Sequence, residues 1–136
     1  VVVHRVVYGS IERFIGVIIE HFAGAFPFWI APVQVAIIPI ADRHLPYCRE
    51  VGDLLTKTAL RYQIDDRKER MNAKIRDAQM QKIPYMLIVG DREQDEKAVS
   101  VRTRLGNDLG KVALDQFIRV ADELVKAKAL DLATSF

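Results

Sequence analysis

Residues 82–93, KIPYMLIVGDRE, decide how this chain folds. Tyr85 to Val89 are apolar at five successive positions, so a strand over 84–90 has no polar face to turn toward water. Residues 33–40, VQVAIIPI, repeat the pattern. Two strands apolar on both faces belong at the centre of a sheet with helices packed on each side, and such sheets are mainly parallel.

Working outward, apolar spacing and breaker residues predict a helix over about 44–59, a strand at 61–65, a helix over about 70–82, a strand at 97–104 and a helix over about 113–129. The order is βαβαββα, an α/β domain of three layers around a mixed, mainly parallel central sheet. In 97–104, KAVSVRTR, Val99 and Val101 alternate with Ser100, Arg102 and Arg104. One face of that strand should meet the core while the other presents two guanidinium groups. Only Asp91 to Glu96 separate it from strand 84–90, so the two should form an antiparallel hairpin at one edge of the sheet.

Upstream, Val1, Val2, Val3, Val6, Val7 and Tyr8 read as a strand over 1–9 that is buried on both sides. Gly9 ends it, and Ser10 can cap a helix whose Ile11, Phe14, Ile15, Ile18, Ile19 and Phe22 share one face, with Gly24 as the stop. Residues 25–32, AFPFWIAP, with two prolines and three aromatics, read as an extended, packed connector. The domain boundary is placed there, giving residues 1–30 and 31–136.

Composition narrows the function classes. Half of the 136 residues are apolar and 28% charged, and no apolar run is long enough to cross a membrane. The start VVVHRVV lacks a secretory cleavage pattern and a Met, so the chain is expected to be a piece of something longer, and its single cysteine leads to the expectation of a reducing, cytoplasmic home. Cys48 has no partner for a disulfide and falls in a helical pattern, as a small buried hydrophobe would. His21 and His44 are expected at the surface. Net charge is only +2, so binding of a polyanion would depend on local clustering of the 20 Lys and Arg side chains.

Two clusters stand out. Arg67, Lys68, Arg70, Lys74 and Arg76 begin at the end of strand 61–65, where ligands gather in open α/β sheets, although such a run is also what a solvated helix face looks like. The second joins the turn GDRE, residues 90–93, to Arg102 and Arg104. Guanidinium groups pair with phosphate or base edges, and a carboxylate such as Glu93 accepts from an exocyclic amine, while charge on an edge strand also discourages aggregation. No glycine-rich phosphate loop of either common type occurs.

Residues 4–16, HRVVYGSIERFIG, followed by 22–35, FAGAFPFWIAPVQV, resemble the third class II synthetase motif of threonyl-tRNA synthetases and its connection into the anticodon-binding domain. The segments APVQV, DDRKERMNAKIRDAQ, KIPYMLIVGDRE and VSVRTRLG are similar to that domain in order and spacing, so the resemblance covers nearly the whole chain. It implies that residues 1–30 are the last strand and helix of a class II catalytic domain. It also implies that Arg13 contacts the ATP phosphates, that Ser10 lines the amino-acid pocket, and that His4 is a zinc ligand whose companions lie outside this chain. Lys74, Arg76, Glu93 and Arg102 are then on the surface that reads the anticodon. Lys68 stands where the family has an asparagine, and its ammonium suits phosphate better than a base edge. The expected function is the tRNA-docking part of a threonine–tRNA ligase that uses ATP and zinc, with tRNA(Thr) as partner and no membrane. The parent is expected to be a homodimer, and the fragment monomeric, inactive alone and without a tightly held cofactor. The alternative is a stand-alone, non-catalytic RNA-binding or regulatory module of synthetase-like build.

Overall fold

The structure, a computed structural model, describes residues 1–3 and 9–136. Most of the strand expected over 1–9 falls on residues 4–8, as does His4, and lies outside the described residues.

The first helix, α1, spans Ile11–His21 and is capped as its sequence suggests, the Arg13 N–H donating to Ser10 Oγ. Glu12 favours the positive end of its dipole, and Gly24, at φ +75°, follows its end. α1 buries no residue. Beyond it come a short turn at Phe28–Ile30, then β1 (Val35–Pro39), α2 (Leu45–Lys57), β2 (Tyr62–Ile64), α3 (Met71–Met80), β3 (Tyr85–Val89), α4 (Asp91–Asp95), β4 (Ala98–Thr103), β5 (Asp108–Ala113) and α5 (Leu114–Ala127). No helix among the described residues is long and apolar enough to cross a membrane.

The strands form one sheet in the order β2-β1-β3-β4-β5. β1 is parallel to both β2 and β3, whereas β3 to β4 and β4 to β5 are antiparallel. Every residue of β1 and β3 is buried, as their apolar runs require. One face of the sheet carries the larger core, in which Val35, Ile37, Tyr85, Leu87, Val99 and Val101 meet α2 and α5. On the other face Ala36, Ile38, Met86 and Ile88 pack under α3 through Ile75 and Ala78.

Two elements go beyond the expected βαβαββα string. Residues 91–95, expected as a turn, form the single helical turn of α4, and residues 108–113 form the edge strand β5. β4 is therefore an interior strand and not the edge, although its antiparallel pairing with β3 is as expected. His44 is a correction of the same kind. It is 1% exposed, because its ring is drawn into hydrogen bonds with Ala41 and Asp91. Cys48 is fully buried on α2, and that burial pushes its thiol up to about 11.

The connector joins the domain's core. Phe28 is fully buried, edge-on to the Tyr85 ring at 5.3 Å. Its backbone carbonyls are held by side chains from the sheet side. Gln34 donates to Phe28 O at 2.9 Å, Arg61 to Ala31 O and Trp29 O, and Arg104 to Phe26 O at 2.6 Å.

Gly52 of α2 faces the ring of Tyr62 on β2, and a methyl group added there would lie 2.6 Å from ring carbons. Overpacking costs about 1–3 kcal/mol, against roughly 1 kcal/mol gained in helix propensity. Gly52→Ala should lower stability by about 1 kcal/mol in urea unfolding, and combining it with Tyr62→Ala should remove that penalty in a double-mutant cycle. A stabilised single variant would mean that the Tyr62 ring swings clear.

Candidate functional site

In register, side chains directly opposite on neighbouring strands share a face. Met86 is opposite Arg102, Ile88 opposite Ser100, and Ser100 opposite Lys111. The face that is apolar under α3 thus becomes polar across β4 and β5, where Ser100, Arg102 and Lys111 stand in place of Ala36, Ile38, Met86 and Ile88. α3 bounds this strip. Its Gln79 amide lies against Gly106 in the β4–β5 turn, and Arg76, three residues earlier on the same flank, is exposed.

Arg102 is held from one side only. Its Nε and Nη2 donate to Asp108 Oδ2 at 3.2 and 2.8 Å, while Asp108 Oδ1 accepts the Gly110 N–H at 2.9 Å. The Gly110 N–H, and then Arg102, hold the Asp108 carboxyl below the usual carboxylate range. The guanidinium is therefore oriented before any ligand arrives, with Nη1 still able to donate.

Glu93, on α4, closes one end of the strip. Its Oε2 accepts the Gly90 N–H at 3.0 Å and its Oε1 accepts the Ser100 hydroxyl at 2.8 Å. Each oxygen keeps a lone pair for a further donor. A fixed carboxylate and a fixed guanidinium on one polar strip can discriminate groups that a loose basic patch cannot.

The basic run separates into two kinds of side chain. Arg67 is ion-paired within the domain, to Asp65 at 2.7 Å and Asp77 at 3.0 Å. Lys74 is 4% exposed, and its Nζ donates to the Asp65 backbone carbonyl at 2.9 Å, which fixes the loop after β2. The side chains of Lys68, Arg70 and Arg76 are exposed and have no hydrogen-bond or ion-pair partner among the described residues. The outward position expected for Arg104 is corrected too. β4 ends at Thr103, so the strand alternation no longer governs Arg104, and its guanidinium turns to the connector.

Arg43, which carries no motif of its own, joins His44 and Asp91 at the same end of the sheet. Arg43 donates through Nε and Nη2 to Asp91 at 2.9 and 2.6 Å, and His44 Nε2 lies 3.0 Å from the same carboxylate. Ser10 and Arg13 are far simpler in setting, exposed at the start of α1, with the Ser10 hydroxyl donating to Glu12 at 3.3 Å. Among the described residues no group of three or more His, Cys, Asp and Glu is placed to hold a metal ion.

Comparison with known proteins gives a consistent picture. A family model described as "Anticodon binding domain" matches residues 34–124. The threonine–tRNA ligase of Caldanaerobacter subterraneus subsp. tengcongensis is 55% identical over 130 residues, covering 96% of this chain and 20% of that protein. The threonine–tRNA ligase of Acidobacterium capsulatum is 54% identical over 132 residues, covering 97% and 19%. The chain thus spans about a fifth of the length of these relatives. Among solved structures, the RNA binding domain of threonyl-tRNA synthetase from Cryptosporidium parvum Iowa II superposes with a TM-score of 0.79 at 32% identity, over 88% of this chain and 30% of that one. A prolyl-tRNA synthetase from Cryptosporidium parvum gives 0.65 at 26% identity, over 74% and 22%.

The Arg43 and His44 hydrogen bonds pull the Asp91 carboxyl down to about 2, from an ordinary 3.8. A carboxylate whose pKa is lowered by folding adds stability that is fully present above its ordinary value and is lost as pH falls through the folded value. Stability of the wild type should therefore fall between about pH 4 and pH 2 more steeply than that of Asp91→Asn. Parallel acid dependence of the two proteins in urea unfolding would refute the pairing.

Proposed function

The chain belongs to the anticodon-binding domain family, and from that membership and its likeness to threonine–tRNA ligases we propose that it is the tRNA-docking C-terminal part of a threonine–tRNA ligase. The observation that carries the reading is the half-covered sheet face. α3 shields the apolar half, and the polar half presents Arg102 and Glu93, each already tied down by a neighbour. A single-stranded loop with splayed bases suits such a strip, because its base edges offer both donors and acceptors.

Roles divide by chemistry. Glu93 accepts from a base amine, and Arg102 donates to base acceptors beside it. Arg76, on the α3 flank, and Lys68, in the loop after β2, add positive charge where the loop backbone would run. Lys74 acts through its grip on the Asp65 carbonyl, which holds the loop bearing Lys68. The partner is tRNA(Thr), recognised through its anticodon stem-loop.

The N-terminal piece belongs to the same proposal. Residues 1–30 close a class II catalytic domain and 31–136 form the docking domain; α1, with no buried residue, supports this division, while Phe28 ties the connector to the second part. Arg13 would meet ATP phosphates and Ser10 the threonine, in a ligase that joins threonine to tRNA through ATP. His4 would join zinc ligands supplied by the rest of the enzyme. This chain by itself is expected to be inactive, and the whole enzyme to be a cytoplasmic homodimer.

Binding of a threonine tRNA anticodon stem-loop and of a loop-scrambled control, across a salt series, tests this. The true loop should bind tighter, with a salt slope reporting several phosphate contacts. Arg102→Ala should cost about 1–3 kcal/mol and erode the preference between loops, whereas Lys68→Ala should weaken both loops alike and reduce the slope by about 1. Equal binding of both loops by the wild type would contradict the reading.

A further inference from the structure

α4 is a five-residue helix that buries none of its residues. A helix that short has no stability of its own, and without apolar packing its position is decided by polar ties. Two ties start from its side chains. Glu93 bonds Gly90 N–H and the Ser100 hydroxyl, and Asp91 bonds Arg43 and His44 across the end of the sheet.

The second tie has a defined polarity. Ala41 N–H donates to His44 Nδ1 at 3.2 Å, so in the neutral ring the proton is on Nε2, which donates to Asp91 Oδ1 at 3.0 Å. The ring is 1% exposed. Arg43 and Asp91 side chains are 68% and 64% exposed, and an ion pair that open to water orients little by itself. The buried imidazole is therefore the rigid part of the tie. The loops also meet closely, since a methyl group on Gly90 would lie 2.7 Å from Ile40 Cδ1 and 3.0 Å from Glu93 Oε2.

We propose that His44, with Asp91 and Arg43, is a latch that positions Glu93: the loop after β1 fixes the first turn of α4, and through it the carboxylate that selects among bases. His44 touches no RNA in this account; it is a positioning residue for discrimination. The proposal rests on the reading of Glu93 as an anticodon contact.

Two variants separate its two hydrogen bonds. His44→Asn can keep the acceptor for Ala41 N–H but cannot reach Asp91, and His44→Gln can place an amide donor near the position of Nε2. Each is compared with the wild-type chain in three measurements: affinity for the true and scrambled stem-loops, the salt slope, and hydrogen exchange of the Gly90 amide. The latch predicts that His44→Asn loses about tenfold in discrimination, the scale of one hydrogen bond to a charged group, with an unchanged salt slope and faster Gly90 exchange. His44→Gln should stay near wild type in both.

Retained discrimination and Gly90 protection in His44→Asn overturn the latch, as does loss in both variants that merely follows a lower melting temperature. A wild type that fails to discriminate overturns the anticodon reading itself, and with it the role given to Glu93; a wild type that discriminates while His44→Asn does too overturns the latch alone.

Discussion

The constraint that shapes this domain is the burial of β1 and β3 on both faces. Their runs VAIIP and YMLIV leave no polar side, so helices must cover the sheet above and below. α2 and α5 cover one face broadly, whereas among the described residues the other receives α3 alone, over the apolar residues of β1 and β3. β4 and β5 answer by changing the chemistry of that face to Ser100, Arg102 and Lys111. The site is what remains of a sheet wider than its helical cover.

Side chains in and beside the strip are held before any partner arrives. Asp108 orients Arg102, Ser100 and Gly90 orient Glu93, and the Asp65 carbonyl takes Lys74. Binding that begins from ordered groups spends less of its interaction energy on immobilising them. Similar ordering extends to the connector, where Gln34, Arg61 and Arg104 take up backbone carbonyls that would otherwise need water. That arrangement gives Arg104 a structural task, with its guanidinium partly removed from solvent and its pKa lowered by the burial.

Much of this was legible in the sequence because the deciding signals are local. Unbroken apolar runs marked β1 and β3, the Val99 and Val101 alternation marked β4, and Ser10 marked the start of α1. β5 was hidden because its DLGKVA stretch is exposed at most positions and has a glycine at φ +78°, so nothing in it reads as a core strand. α4 was hidden because five polar residues after a glycine read as a turn. His44 was misjudged because its burial depends on Asp91, 47 residues away, and Arg104 because alternation stops where β4 stops. Among the expected site residues, Lys68 and Arg76 are exposed, Glu93 and Arg102 are half-buried, and Lys74 is buried with its ammonium on the Asp65 carbonyl. His4 lies outside the described residues.

The most direct test is a map of the contact surface, obtained by titrating the isotopically labelled chain with the threonine tRNA anticodon stem-loop and following backbone amide shifts. The account predicts shifts confined to the loop around Lys68, the Arg76 flank of α3, Gly90 to Glu93, and Ser100 to Arg102 with Lys111. Shifts centred on α2 and α5, the opposite face of the sheet, would contradict it.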